Sequence, residues 1–112
     1  MERGRQPPHR TADVVVTGDL TVATSRSLHR RLRQVIQDGG RQVRVDLRAV
    51  DRLDAAGVTV LLVYRRLLPS LGGELVVVGG GAVEDALTGM RLGHVLDRRG
   101  QPAAAAAWSE VA

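Results

Sequence analysis

The residues of this chain that could form a catalytic or metal site are three aspartates and three histidines. A short run of small side chains beside one of the aspartates could instead form a contact site. Asp46, Asp51 and Asp54 lie close together in the sequence, but no spacing marks two of them as a general acid and a general base. The histidines are far apart and lack the spacing of metal ligands. No Ser-His-Asp set has a visible reason to converge. The sequence therefore predicts no enzyme activity, no metal site and no cofactor.

Composition narrows the class of protein further. The 112 residues fit one domain, and the absence of cysteine excludes disulfides, thiolate metal sites and cysteine nucleophiles. Every basic residue is an arginine, whose very high pKa lifts the isoelectric point well beyond what the net charge of +4 suggests. Tyr64 and Trp108 are the only aromatic residues, so a stacking platform for nucleic acid is not expected.

The two ends of the chain differ from its middle. Residues 1–11 combine prolines with scattered charge and predict a disordered tail, and residues 101–112 predict a second tail that is flexible or forms a short helix. One domain is expected over residues 12–100. No apolar run approaches the roughly 18 residues that cross a bilayer, and the first residues lack the apolar segment of a secretory signal. We expect a cytoplasmic monomer with no direct membrane insertion.

The first half of the domain predicts a strand and then a helix. The apolar run Val14–Val16 predicts the strand, and a bend or a second short strand is expected after Gly18. The helix is expected to begin at a cap formed by Thr24 or Ser25 and to end at Gly39. Its apolar positions fall on one face: Leu28, Leu32, Val35 and Ile36.

The second half continues the alternation of strands and helices. The expected elements are a strand over 43–47, a helix over 54–68 that Pro69 closes, a buried strand over 75–78, a short helix over 82–90 and a short strand over 93–97. Such alternation is typical of an α/β fold with a mainly parallel sheet.

The junction at Asp54 is the most unusual stretch. Asp54 can cap the following helix by accepting a hydrogen bond from the backbone N–H of Gly57. Capping does not explain the choice of Ala55, Ala56 and Gly57. Small residues in a first turn let another surface approach the N-terminus of the helix, where partial positive charge and spare N–H donors lie.

The order of elements and this junction resemble the STAS domain, a family named for sulfate transporters and anti-sigma factor antagonists. The resemblance covers about residues 13–99 and rests on "VVVTGDL", "VRVDLRAVDRLDAAGVTVLL" and "GGELVVVG". These match the family's first strand with its G-E-L-D turn, its signature strand, loop and helix, and its next strand. The resemblance implies a STAS-like α/β fold, with helices packed on a mainly parallel sheet of four to five strands.

The signature turn of the family is of the D-S-S-G type and stands here as Asp54-Ala55-Ala56-Gly57. In the family's antagonists, the second serine is phosphorylated by an anti-sigma factor that is also a kinase. The phosphate breaks their complex because it adds about −1.5 to −2 charges to a close interface. Ala56 has no hydroxyl, and Thr21 stands where the family's G-E-L-D turn has its aspartate. No phosphorylation is therefore expected at the usual site.

The expected partner-binding surface combines the signature turn, the first two turns of its helix and the adjacent G-E-L-D-like turn. Its residues are Asp19, Thr21, Asp54, Ala55, Ala56, Gly57, Thr59 and Val63. Asp54 is expected to hold the shape of the turn. Ala56 and Gly57 are expected to provide a flat contact.

Three functions are consistent with the sequence. The favoured one is an antagonist that binds an anti-sigma factor of the histidine-kinase-like ATPase fold and is not switched by phosphorylation, since the ungapped spacing from Asp54 to "GGE" suits that class. The second is a STAS adaptor subunit of a bacterial lipid-transport ABC system, which docks on the transporter ATPase. The third is a sensor of a nucleotide or other small ligand at the N-terminus of the signature helix.

Overall fold

The computed structural model describes residues 10–96 and shows strands and helices alternating along the chain. In order, these are β1 (Arg10–Thr17), α1 (Val22–Gln37), β2 (Gly40–Ala49), α2 (Ala55–Ser70), β3 (Glu74–Gly79) and α3 (Gly81–Gly89), followed by a 3-10 turn at Gly93–Val95. The predicted tails at 1–9 and 97–112 lie outside the described residues. Arg10 and Thr11, which the sequence assigned to the N-terminal tail, are the first residues of β1.

The described strands form one parallel sheet in the order β1-β2-β3. Each crossover between neighbouring strands contains a helix, as a parallel pair requires. The register pairs Val14 with Val45, and Val45 with Val77. The α/β class and the parallel sheet are as predicted, whereas the described sheet has three strands rather than four to five.

The hydrophobic core lies between the helices and one face of this sheet. Alternate strand residues point the same way, so Val14, Val45 and Val77 share a face and join one buried cluster with helix residues such as Leu28 and Leu61. The predicted apolar face of α1 is confirmed, with Leu28 and Leu32 buried and Val35 and Ile36 packed beside them. The opposite face carries polar side chains on β1 and β2, including an ion pair between Arg44 and Asp13, and the buried Val76 and Val78 on β3.

The ends of the first two helices differ in detail from the sequence prediction. Thr21, rather than Thr24 or Ser25, is the N-cap of α1, and its backbone N–H donates to Oγ1 of Thr24 at 3.0 Å. Gly39 follows α1 with a φ of 97°, which is the left-handed stop that its position predicted. Pro69 lies within the last turn of α2, which ends one residue later. The missing N–H of Pro69 therefore removes only one backbone hydrogen bond, close to the end of the helix.

The strand predicted over 93–97 is wrong for residues 93–95. These residues form a 3-10 turn closed by bonds from Val95 N–H to Leu92 C=O and from Leu96 N–H to Gly93 C=O. Val95 and Leu96 are both buried, although they are neighbours in sequence. A half-buried strand would expose one of the two, so the turn is the conformation that buries both. None of the helices in residues 10–96 is long and apolar enough to cross a membrane.

Candidate partner-binding site

Two turns, at residues 18–21 and 50–54, are joined side by side at one end of the sheet. Backbone N–H of Leu20 donates to C=O of Arg52 at 2.8 Å, and backbone N–H of Asp54 donates to C=O of Leu20 at 3.2 Å. Leu20 and Leu53 thereby form an isolated parallel bridge. Gly18 makes the turn after β1 with a φ of 80°, a conformation that glycine adopts without a steric penalty. The bridge brings the N-termini of α1 and α2 together.

Asp54 caps both of these helices with one carboxylate. Its Oδ1 accepts from backbone N–H of Gly57 at 3.1 Å, which confirms the predicted cap of α2. Its Oδ2 accepts from backbone N–H of Val22, the first residue of α1, at 3.0 Å. The hydrogen bond from Gly57 is the main cause of a lowered pKa of Asp54, and the one from Val22 adds to it. The carboxylate is therefore held charged between two positive helix ends.

Gly57 does not contribute to a flat contact surface, contrary to the prediction. It is buried beneath the turn at Leu20, and a Cβ at this position would lie 2.7 Å from the backbone oxygen of Leu20. Glycine is needed here because the first turn of α2 passes directly under the neighbouring backbone. The small residue thus serves the joint between the two turns rather than a partner.

The alanines of the turn lie nearer the surface. Ala55 is exposed and Ala56 is half-buried at the start of α2. Thr59 and Val63 follow at helical spacing on the same side, and both are exposed. Oγ1 of Thr59 donates to C=O of Ala55 at 2.8 Å, so this hydroxyl already has a partner within its own helix. Ala56, Thr59 and Val63 form a continuous stripe that a partner can reach.

The adjacent turn borders this stripe. Asp19 and Thr21 are both half-buried, and C=O of Asp19 accepts from Oγ1 of Thr24 at 2.8 Å. Thr21, which stands at the aspartate position of the family's turn, caps α1 through its backbone geometry. These residues shape the edge of the site.

Val22 is a residue of this site that the sequence prediction missed. Its side chain is 72% exposed, the largest exposure among the large apolar side chains of residues 10–96. It lies beside the joint because its N–H donates to Asp54. No signal in the sequence indicated it, because the predicted cap at Thr24 or Ser25 left Val22 outside the helix, whereas the observed cap is Thr21.

No cluster of three or more histidine, cysteine, aspartate or glutamate side chains that could hold a metal ion occurs within residues 10–96. His29 instead contacts Tyr64 between α1 and α2, with 3.1 Å from Nδ1 to the phenolic oxygen. The aspartates that lie close in sequence are used structurally: Asp46 pairs with Arg48 at 2.8 Å, and Asp54 caps helices.

Comparison with known families identifies the class of protein. A family model described as "Mlab, STAS domain" matches residues 5–97. The chain therefore belongs to the STAS domain family, which is consistent with its parallel sheet, its packed helices and its signature turn. Among curated proteins, none is similar enough to the chain to count as a match. Membership of this family supports a regulatory or protein-interaction role.

Proposed function

We propose that this STAS domain acts by binding one partner protein through the stripe at the start of α2, and that it carries out no catalysis. The observation that carries the proposal is the double cap at Asp54. One carboxylate fixes the N-termini of α1 and α2 relative to each other. A preorganised surface of small and apolar side chains loses little entropy on binding.

The partner we propose is an anti-sigma factor of the histidine-kinase-like ATPase fold. In the antagonists that this chain resembles, a phosphate on the second residue after the aspartate breaks the complex. That residue is Ala56, which has no hydroxyl and presents only a methyl group. The complex would therefore persist whatever the activity of the kinase, and its level would be set by the supply of the two proteins.

A second candidate is an adaptor subunit of a bacterial lipid-transport ABC system that docks on the transporter ATPase. The description of the matching family favours it, since it reads "Mlab, STAS domain". The missing hydroxyl at position 56 also suits a permanent subunit, because such a subunit needs no phosphorylation switch. Both candidates use the same face of α2, so the partner's identity decides between them.

The test is capture of partners from the extract of the source cells with the tagged full chain, followed by mass spectrometry. Ala56→Glu should lose the partner because it places a charge in the proposed contact. Ala82→Glu is the matched control, since Ala82 is the second residue of α3 as Ala56 is of α2, and it is exposed. A partner that both variants retain would contradict the proposed surface.

The identity of the captured protein separates the two candidates. An anti-sigma factor supports the antagonist, and a transporter ATPase supports the adaptor and contradicts the antagonist. The variant Ala56→Ser adds a second criterion. With a captured anti-sigma kinase and ATP, it should gain a phosphate that the natural chain does not, and mass spectrometry of the intact variant measures this gain.

A further inference from the structure

A shallow groove continues along the outer side of α2 beyond the signature turn. It runs from Thr59 to Ser70 and includes Val63, Arg66 and Leu67. Its two ends lie eleven positions apart along α2, which corresponds to about 16 Å of helix, or three turns. The groove is therefore long enough for two to three turns of a partner helix, which would contact it through side chains at helical spacing.

The floor of the groove is apolar. Val63 is 50% exposed and Leu67 is 38% exposed, and just beyond the end of the groove Leu71 is 40% exposed. Two of the five large apolar side chains that residues 10–96 expose thus lie on α2, and a third, Leu71, is the C-cap residue of this helix. Their clustering distinguishes this face from the single exposed apolar residues that are normal on protein surfaces.

The rim of the groove is positively charged. Arg65 and Arg66 are both exposed, and no carboxylate of residues 10–96 forms an ion pair with either. Among residues 10–96, Nη2 of Arg65 donates to C=O of His94 alone, at 3.4 Å. No acidic residue is found among the described residues that line the groove. A second copy of the chain is a poor occupant, because it would bring like charges together.

We propose that this groove binds an amphipathic helix of the partner that carries acidic side chains beside its apolar stripe. The inference rests on the proposed function only for its location on α2, and it adds the chemistry of the partner segment. Apolar side chains of the partner fill the floor, and its carboxylates pair with Arg65 and Arg66.

Nuclear magnetic resonance of the ¹⁵N-labelled full chain tests this without knowledge of the partner. Two synthetic amphipathic helical peptides of equal length and identical apolar stripe are titrated, one flanked by glutamates and the other by lysines. The acidic peptide should shift the amide signals of residues 59–71 and bind at least about tenfold more tightly than the basic one. Salt should weaken its binding.

Charge reversal at the rim provides the matched variants. Arg66→Glu should weaken the binding of the acidic peptide about tenfold and strengthen the binding of the basic peptide. Arg30→Glu, at an exposed position of α1, should change neither. Equal binding of both peptides, shifts confined to another element, or no shift at all would overturn the inference. Any of these results leaves the capture test with Ala56→Glu unaffected, so the two proposals fail separately.

Discussion

At the scale of single residues, the signature turn is explained mainly by the joint between two helices. Asp54 accepts one backbone hydrogen bond from each helix, and Gly57 leaves room for the backbone of Leu20. Two of the four residues of the turn are therefore required by the fold itself. Ala55 and Ala56 remain as the members of the turn that a partner can contact.

Substitutions of Asp54 should destabilise the protein to two different degrees, according to how many of the two backbone hydrogen bonds they remove. Asp54→Ala loses both backbone bonds. Asp54→Asn retains one acceptor oxygen and should therefore have an intermediate midpoint of thermal unfolding. Asp51→Ala is the control, because Asp51 is exposed in the same connection and its side chain forms no hydrogen bond or ion pair within residues 10–96. The prediction is contradicted if Asp54→Ala and Asp51→Ala unfold at the same temperature.

The pH dependence of stability follows from the same carboxylate. Hydrogen bonds from Gly57 and Val22 lower the pKa of Asp54 below its ordinary 3.8, and the bond to Arg48 lowers the pKa of Asp46. A group with a lowered pKa stabilises the fold fully above its unfolded-state pKa, and this contribution is lost as the pH falls through the folded-state pKa. The free energy of unfolding, measured with urea, should therefore fall more steeply between about pH 5 and pH 2 for the natural chain than for Asp54→Asn. Parallel curves would contradict this.

Gly57→Ala should destabilise the protein by about 1 to 3 kcal/mol, because the added methyl group overlaps the backbone oxygen of Leu20. This figure is the net effect after the gain in helix propensity, about 1 kcal/mol, so the overlap itself costs more. Gly81→Ala is the control, since a Cβ there meets no atom within 4 Å. Urea denaturation of both variants measures the difference, and equal stabilities would show that the two turns do not pack as described.

At the scale of elements, α2 has one face for the core and another for solvent. Leu61→Ala should cost about 2 to 5 kcal/mol of unfolding free energy, because Leu61 is fully buried. Leu67→Ala, six residues further on, should lower the free energy of unfolding by less than about 1 kcal/mol. It should instead weaken the binding of the acidic peptide. Denaturant unfolding and the peptide titration together check the pair. The assignment of faces fails if Leu67→Ala unfolds as readily as Leu61→Ala.

The regular elements could be predicted from the sequence, and the contacts between them could not. Helical period on α1 and continuous apolar residues in β3 are local patterns, and both elements occur where the patterns indicate. The bond between Asp54 and Val22 joins residues 32 positions apart, and no local pattern encodes it. The turn at 93–95 was missed because a short apolar run predicts a strand locally, whereas the burial of both Val95 and Leu96, which favours the turn, depends on tertiary packing.

At the scale of the whole molecule, the parallel topology assembles the candidate binding site. Strands β1 and β2 run side by side in the same direction. The turns that follow them therefore meet at the same end of the sheet, and the helices that start there, α1 and α2, do too. One carboxylate can then cap both helices. The site thus depends on the sheet, although no strand residue belongs to it.

The central claim is that the partner binds the start of α2 with Ala56 in the contact. Ala56 takes the place of the serine whose phosphorylation would break such a complex. The most direct test is calorimetric titration of the purified partner with the natural chain, Ala56→Glu and Ala82→Glu. We predict that the natural chain and Ala82→Glu bind with equal affinity, while Ala56→Glu binds at least about a hundredfold more weakly, as expected for a charge buried without a partner. Equal affinity of all three proteins would contradict the claim and would move the interface away from the signature turn.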